Sequence, residues 1–135
     1  LQGLPAIALS QFMGPATAAL PDPFEAAAAH GAAVVRRILD RAPWDDGPYR
    51  LFYNVNFPPV GAAAVRGTAA ARQGFRARST HKVQAQLAPS GRRFLWVTSG
   101  TQDERTGPGT DVEANLDGLV SVTPSPPRSR GRWRG

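Results

Sequence analysis

Cysteine is absent from this 135-residue chain. That excludes disulfides and thiolate metal sites, and it suits a reducing, cytoplasmic setting. No stretch approaches the roughly 18 consecutive apolar residues that a membrane span requires. Histidine occurs only at His30 and His81, far apart and without acidic residues at ligand spacing. The three or four side chains of a zinc centre are therefore not assembled by local sequence. The Gly-Lys-Ser/Thr signature of a P-loop is missing as well.

The surplus of positive charge is localised. The formal net charge is +6, but Arg128, Arg130, Arg132 and Arg134 all fall in the final stretch. The 16 basic residues less those four leave 12 against 10 acidic ones, so the body of the chain is nearly neutral. The high isoelectric point belongs to the tail. Residues 125–135 lack apolar periodicity and are expected to be a disordered basic tail. Its arginines, with Trp133 as a stacking ring, offer a nucleic-acid or anionic-lipid reading. Translation of a GC-rich sequence in a wrong frame gives the same pattern, and the nucleic-acid reading ranks below it. The opening LQGLPAIALS has neither a basic segment nor a cleavage pattern. It reads as the interior of a longer sequence.

The chain has enough apolar residues for a core, 41% by count, with 14 Gly and 13 Pro implying many turns. Leu4 to Leu9 suits a strand buried on both faces. Residues 11–23, with three prolines and a glycine, read as a loop. Asp22, Pro23 and Glu25 form a helix-start signal. Phe24, Ala27, Ala28, Gly31, Val34, Val35, Ile38 and Leu39 then recur at helical spacing until Pro43, which predicts a helix over about 23–41. Arg50 to Asn56 reads as a strand closed by Pro58-Pro59, and residues 60–70 are ambiguous. Over about 69–99 the sequence suggests two extended segments. His81, Val83, Ala85 and Leu87 alternate with Lys82, Gln84 and Gln86, Ala88-Pro89-Ser90-Gly91 supplies the turn, and Arg93 to Val97 returns. One face of that hairpin is expected to be polar. Asp111 to Leu116 suits a short helix capped by Thr110 or Asp111 and ended by Gly118, before a strand at Leu119 to Thr123. The sum is an α/β domain with one main helix. A single helix covers one face of a sheet, so a covering element is expected outside this sequence.

Few residues suggest chemistry on their own. Asp45-Asp46-Gly47 has the adjacent carboxylates that hard cations favour, but between a helix and a strand it is ordinary turn chemistry. Ser10 stands at the carboxyl end of the opening strand, where ligands gather in open α/β sheets, and it is equally an ordinary polar terminus. Gly107-Pro108-Gly109-Thr110-Asp111 could present amides to a phosphate or be a structural loop. His30 and His81 read as surface or hydrogen-bonded histidines.

Five stretches in order carry a resemblance. They are GLPAIALS at 3–10, LFYNVNFPPV at 51–60, AARQGFR at 70–76, PSGRRFLW at 89–96 and GPGTDVEANLDGLVSVTP at 107–124. Together they resemble the C-terminal half of SurE-type 5′-nucleotidases. Ala71, Ala88, Ser90 and Leu119 depart from the family's usual residues, as does everything after Pro124. The resemblance implies a partial SurE-like, Rossmann-like sheet over 1–124, with an extended β-hairpin arm at about 69–99 that joins subunits into homo-oligomers. It implies a divalent metal, Mg or Mn, and nucleoside monophosphates as substrates of the intact enzyme. The family's metal ligands precede the strand that begins at Gly3, so no catalytic, cofactor-binding or metal residue is carried over. The expectation is a fragment inactive alone. The alternatives are a non-enzymatic oligomerisation module and nucleic-acid binding through the tail.

Overall fold

The computed structural model describes residues 4–44, 52–76, 81–99 and 104–125. Four strands form a mixed sheet in the order β1 (Ala6–Gln11), β2 (Phe52–Phe57), β6 (Leu119–Ser125) and β3 (Gly67–Ala70). β1 and β2 are parallel, with Ala8 opposite Asn54 and Ser10 opposite Asn56. β6 runs antiparallel to β2 and parallel to β3. The connection from β1 to β2 passes through α2 (Glu25–Arg41), as a parallel pair requires. This is the expected α/β piece, with one long helix.

Alternation along β2 sends Tyr53, Val55 and Phe57 to one face, where they are buried. α2 covers that face with Ala26, Val34 and Ile38, and Val120 of β6 completes the core. Val55, Phe57 and Ala26 are wholly buried, each large side chain contributing roughly 1.5–3 kcal/mol relative to exposure. Trp44 closes the lower end edge-on to Tyr53, with ring centroids 5.1 Å apart. Gly31 faces the sheet, where a Cβ would stand 3.9 Å from the Phe57 ring, an ordinary contact distance.

Several expectations change. β1 is an edge strand and mostly exposed, not buried on both faces. Its apolar composition is real, but only one side of Ile7 meets the core. The loop over 11–23 contains one helical turn, α1 (Pro15–Ala18), where the buried Thr17 hydroxyl donates to the Gly14 carbonyl at 2.9 Å. α2 begins at Glu25; Asp22 instead accepts the Phe24 amide at 2.8 Å in the preceding turn. The buried stripe of α2 is narrower than expected, because Phe24, Ala28 and Leu39 face outward.

The second sheet is a two-stranded ribbon, β4 (His81–Leu87) and β5 (Arg93–Ser99). Gly91, at φ 78°, makes the turn in the left-handed region that favours glycine. The ribbon is shorter than the expected arm, since residues 67–70 belong to the main sheet and hydrogen-bond to β6. Its two faces also differ from expectation. Gln84 pairs with Trp96 and Gln86 with Phe94, so aromatic rings share the side of the glutamines. Val83, Ala85, Leu95 and Val97 form the other side. All four large apolar residues of β5, Phe94 to Val97, are exposed.

Candidate functional site

The carboxyl ends of β1 and β2 open into a polar basin of about 520 Å³. Its wall is made by Ser10, Gln11 and Phe12 from β1 and its exit, Asn56 from β2, residues 73–76, and Asp111, Val112 and Asn115 of α3 (Asp111–Leu116). Ser10, singled out from sequence by its place at a strand end, therefore lines the basin. Its hydroxyl donates to the Asn56 side-chain oxygen across the parallel pair. Gln11 donates from Nε2 to the Pro58 carbonyl at 2.8 Å.

The rest of the wall is held by a compact set of bonds. The Asp111 carboxylate accepts the Gly74 amide at 2.7 Å and its neighbour Val112 at 2.8 Å. Arg72 and Asp111 exchange a further backbone bond at 2.9 Å. Asn115, buried, donates both to the Asn56 carbonyl at 2.9 Å and to the Leu119 carbonyl at 3.0 Å. One amide thus ties α3 to β2 and β6. Thr110 caps α3 through its hydroxyl, which accepts the Glu113 amide at 3.3 Å and donates to the Gly107 carbonyl at 2.8 Å. The 107–111 stretch is folded around this cap. On the outer side of α3, Arg105 pairs with Glu113 and, at 3.0 Å, with Asp117. Hydrogen bonds to Glu113, then Asp117, raise the Arg105 pKa above its ordinary value.

His30 lies elsewhere, on α2, with Nε2 donating to the Ala62 carbonyl at 3.0 Å. Asp45-Asp46-Gly47 and the arginine tail fall outside the described residues, and His81 is described only as the first residue of β4. Sequence reasoning did not single out Asn56, Gln73, Arg76 or Asn115 for this wall. The first three lie in the NVNFP and RQGFR stretches, whose clustering was their only signal.

The wall holds one carboxylate, and its Oδ1 already accepts two amides. Among the described residues no group of three or more His, Cys, Asp or Glu is placed to hold a metal ion. Neutral hydroxyls and carboxamides dominate the donor set. These residues do not fit a divalent-cation site.

The model of the family described as Survival protein SurE matches residues 1–80. The chain belongs to the SurE family. It is 60% identical over 124 residues to the 5′-nucleotidase SurE of Cereibacter sphaeroides, covering 92% of this chain and 48% of that protein. The 5′-nucleotidase SurE of Ruegeria pomeroyi matches at the same identity and coverage. The crystal structure of the SurE protein from Aquifex aeolicus superposes with a TM-score of 0.58 at 31% identity, covering 91% of this chain and 46% of that one. The chain therefore spans about half the length of the SurE relatives it matches. Among the described residues no helix is long and apolar enough to cross a membrane.

Proposed function

We propose that this chain is the C-terminal portion of a metal-dependent nucleoside-monophosphate phosphohydrolase of the SurE family, cytoplasmic, and that it does not turn over substrate by itself. One observation carries the reading: 60% identity across 92% of the chain to proteins named 5′-nucleotidase SurE, over only 48% of their length. The polar basin supports it. It lies where parallel strands end, the usual ligand position in open α/β sheets, yet it holds too few anionic ligands for a cation. In this reading carboxylates from the half that precedes this chain would hold a cation, Mg²⁺ or Mn²⁺, which would supply the charge that polarises the phosphate. The residues here supply the remainder of the pocket. Ser10 and Asn56 present hydroxyl and amide groups at the strand ends, and Asp111 and Asn115 fix the wall behind them.

The test is phosphate release from AMP with Mn²⁺ or Mg²⁺, with and without EDTA. It compares this chain with a polypeptide joining it to the N-terminal half of the Cereibacter sphaeroides relative. Release by the joined protein alone, abolished by EDTA, is the expected result. EDTA-sensitive release by the isolated chain, lost in an Asp45→Ala/Asp46→Ala variant, overturns the reading of Asp45-Asp46-Gly47 as a turn.

A second reading concerns assembly. The β4–β5 ribbon exposes Val83, Leu87, Phe94, Leu95, Trp96 and Val97. A lone two-stranded ribbon is marginal in water, and its apolar sides and free edges suit pairing with a second copy. We propose that it is the arm through which copies associate, whether or not catalysis is retained. The arginine tail remains the less favoured route to nucleic acid. Deleting 125–135 and finding salt-sensitive binding to DNA unchanged excludes that route.

A further inference from the structure

β3 closes the main sheet on the side away from β1, and its outer edge is open over two residues. The Ala71 amide bonds to the Val122 carbonyl at 3.0 Å. By alternation Ala69 turns the same way, and Thr68 and Ala70 turn their amides and carbonyls outward. Both are exposed. Arg72, the next residue on that outer side, is already paired, with the Gly109 carbonyl at 3.0 Å and the Asp111 amide at 2.9 Å. The edge therefore takes an added strand at Arg72 and leaves the position beside Thr68 and Ala70 open.

Two different surfaces flank the opening. On the α2 side a cavity of about 310 Å³ has an apolar floor of Val34, Ile38, Tyr53 and Val122, with Arg37 and Arg41 at its rim. A smaller cavity of about 180 Å³ continues it toward the start of β3, sharing Val34, Arg37 and Thr68. Both arginines are exposed, and among the described residues neither joins the ion pairs, which engage Arg105. On the α3 side the cavity beside Ala69 is rimmed by Glu113 and Asp117. α2 and β3 run in the same sense, since both oppose β2. Arg37 and Arg41, four helical residues apart, are spaced by about 6 Å along the axis. Alternate side chains of a strand are spaced by about 6.7 Å. The two repeats match.

We propose that the edge of β3 binds an extended acidic peptide from another polypeptide, with two carboxylate side chains at i and i+2. Paired antiparallel, the better-bonded arrangement, the two acids lie opposite Thr68 and Ala70 and share their face, where Arg37 and Arg41 meet them. The residue between them faces Glu113 and Asp117, so a third acid there is repelled, and a one-residue slip sets both acids against that side. A strand from a second copy does not fit. Among the described residues none of the six strands holds an Asp or Glu, and the β4–β5 ribbon with its turn carries only Lys82, Arg92 and Arg93 as formal charges. Main-chain bonds supply affinity and the arginine pair supplies the choice of sequence.

The probe is a fluorescent end-blocked peptide, Ser-Glu-Thr-Glu-Thr-Ser, titrated into this chain at low salt and followed by anisotropy. It is expected to bind, and a peptide with lysine for both glutamates is not. Arg37→Glu/Arg41→Glu is expected to weaken the glutamate peptide at least about tenfold, because two attractive pairs become repulsive. The same variant should gain the lysine peptide, which shows that it is folded. N-methylation of the two glutamate amides, which face β3, should abolish binding, while N-methylation of the threonine between them should not. No binding by the parent chain, equal binding after charge reversal, or full binding by the peptide methylated at its glutamates overturns the proposal. A change in sedimentation of Arg37→Glu/Arg41→Glu with no peptide bound by the parent assigns the edge to a second copy and overturns it too.

Discussion

Asp111 accepts the Gly74 amide at 2.7 Å, and the approach leaves no room for a side chain on Gly74. A Cβ built there lies 2.6 Å from Thr106 Oγ1, 3.0 Å from Asp111 Oδ1 and 3.2 Å from Thr110 Cβ. Thr106 cannot simply swing away, because its hydroxyl is hydrogen-bonded to that of Thr110 at 2.7 Å. Gly74→Ala is therefore expected to cost about 1–3 kcal/mol, as overpacking does. Urea denaturation followed by circular dichroism reads this as a lower midpoint. An unchanged midpoint means that the 106–111 loop yields without cost.

Asn115 makes a different kind of join. Its Nδ2 serves the carbonyls of Asn56 and Leu119 at once, and the residue is 3% exposed. Asn115→Leu keeps the bulk and removes both donors. Leaving a buried carbonyl unpaired costs about 1–3 kcal/mol. The expected result is a loss of at least that size in the unfolding free energy read from urea denaturation, with Asn115→Asp no better, since a carboxylate cannot donate to either oxygen. A midpoint near the parent's in the leucine variant shows that solvent reaches these carbonyls.

These two joins also mark how far sequence reading reaches. The ends of α3 are legible because capping is local: Thr110 starts the helix and Gly118, at φ 77°, ends it. The hairpin turn is legible for the same reason at Gly91. The depth of burial of β1 is not. An apolar run shows that a strand wants cover and says nothing about whether cover is present. The ribbon's faces were misjudged because the alternation of β4 was read without the register of β5. Ser10 could be placed at the basin from strand polarity alone. Gln11, Gln73 and Asn115 could not, since they converge from separate segments of the chain through bonds such as that from Asn115 to Asn56, 59 residues away.

The ribbon's exposure gives the assembly prediction. Leu95 and Trp96 point to opposite faces and are 70% and 62% exposed. Replacing both by serine removes apolar area from each side while leaving the backbone pairing with β4 in place. Sedimentation velocity is expected to show a shift toward the monomer for Leu95→Ser/Trp96→Ser, with unchanged main-sheet stability. An unaltered distribution of species places the association elsewhere on the molecule.

The outward side of α2 gives the last. Phe24, Ala28, Val35 and Leu39 recur at four- and seven-residue spacing, so they lie along one side of the helix next to the buried Val34 and Ile38. Phe24 and Leu39 are 54% and 58% exposed, which makes the stripe a continuation of the core face without a cover. Apolar stripes of this kind favour self-association of the free chain. Phe24→Ser/Leu39→Ser touches little that is buried, so the unfolding free energy read from urea denaturation should change by no more than about 0.5 kcal/mol for each substitution. Solubility of the isolated chain should rise and binding of a hydrophobic dye should fall. In the joined protein the same pair should instead lower the urea midpoint, because the added half would then bury the stripe. Equal effects in both proteins mean that this side of α2 faces water in the joined protein as well.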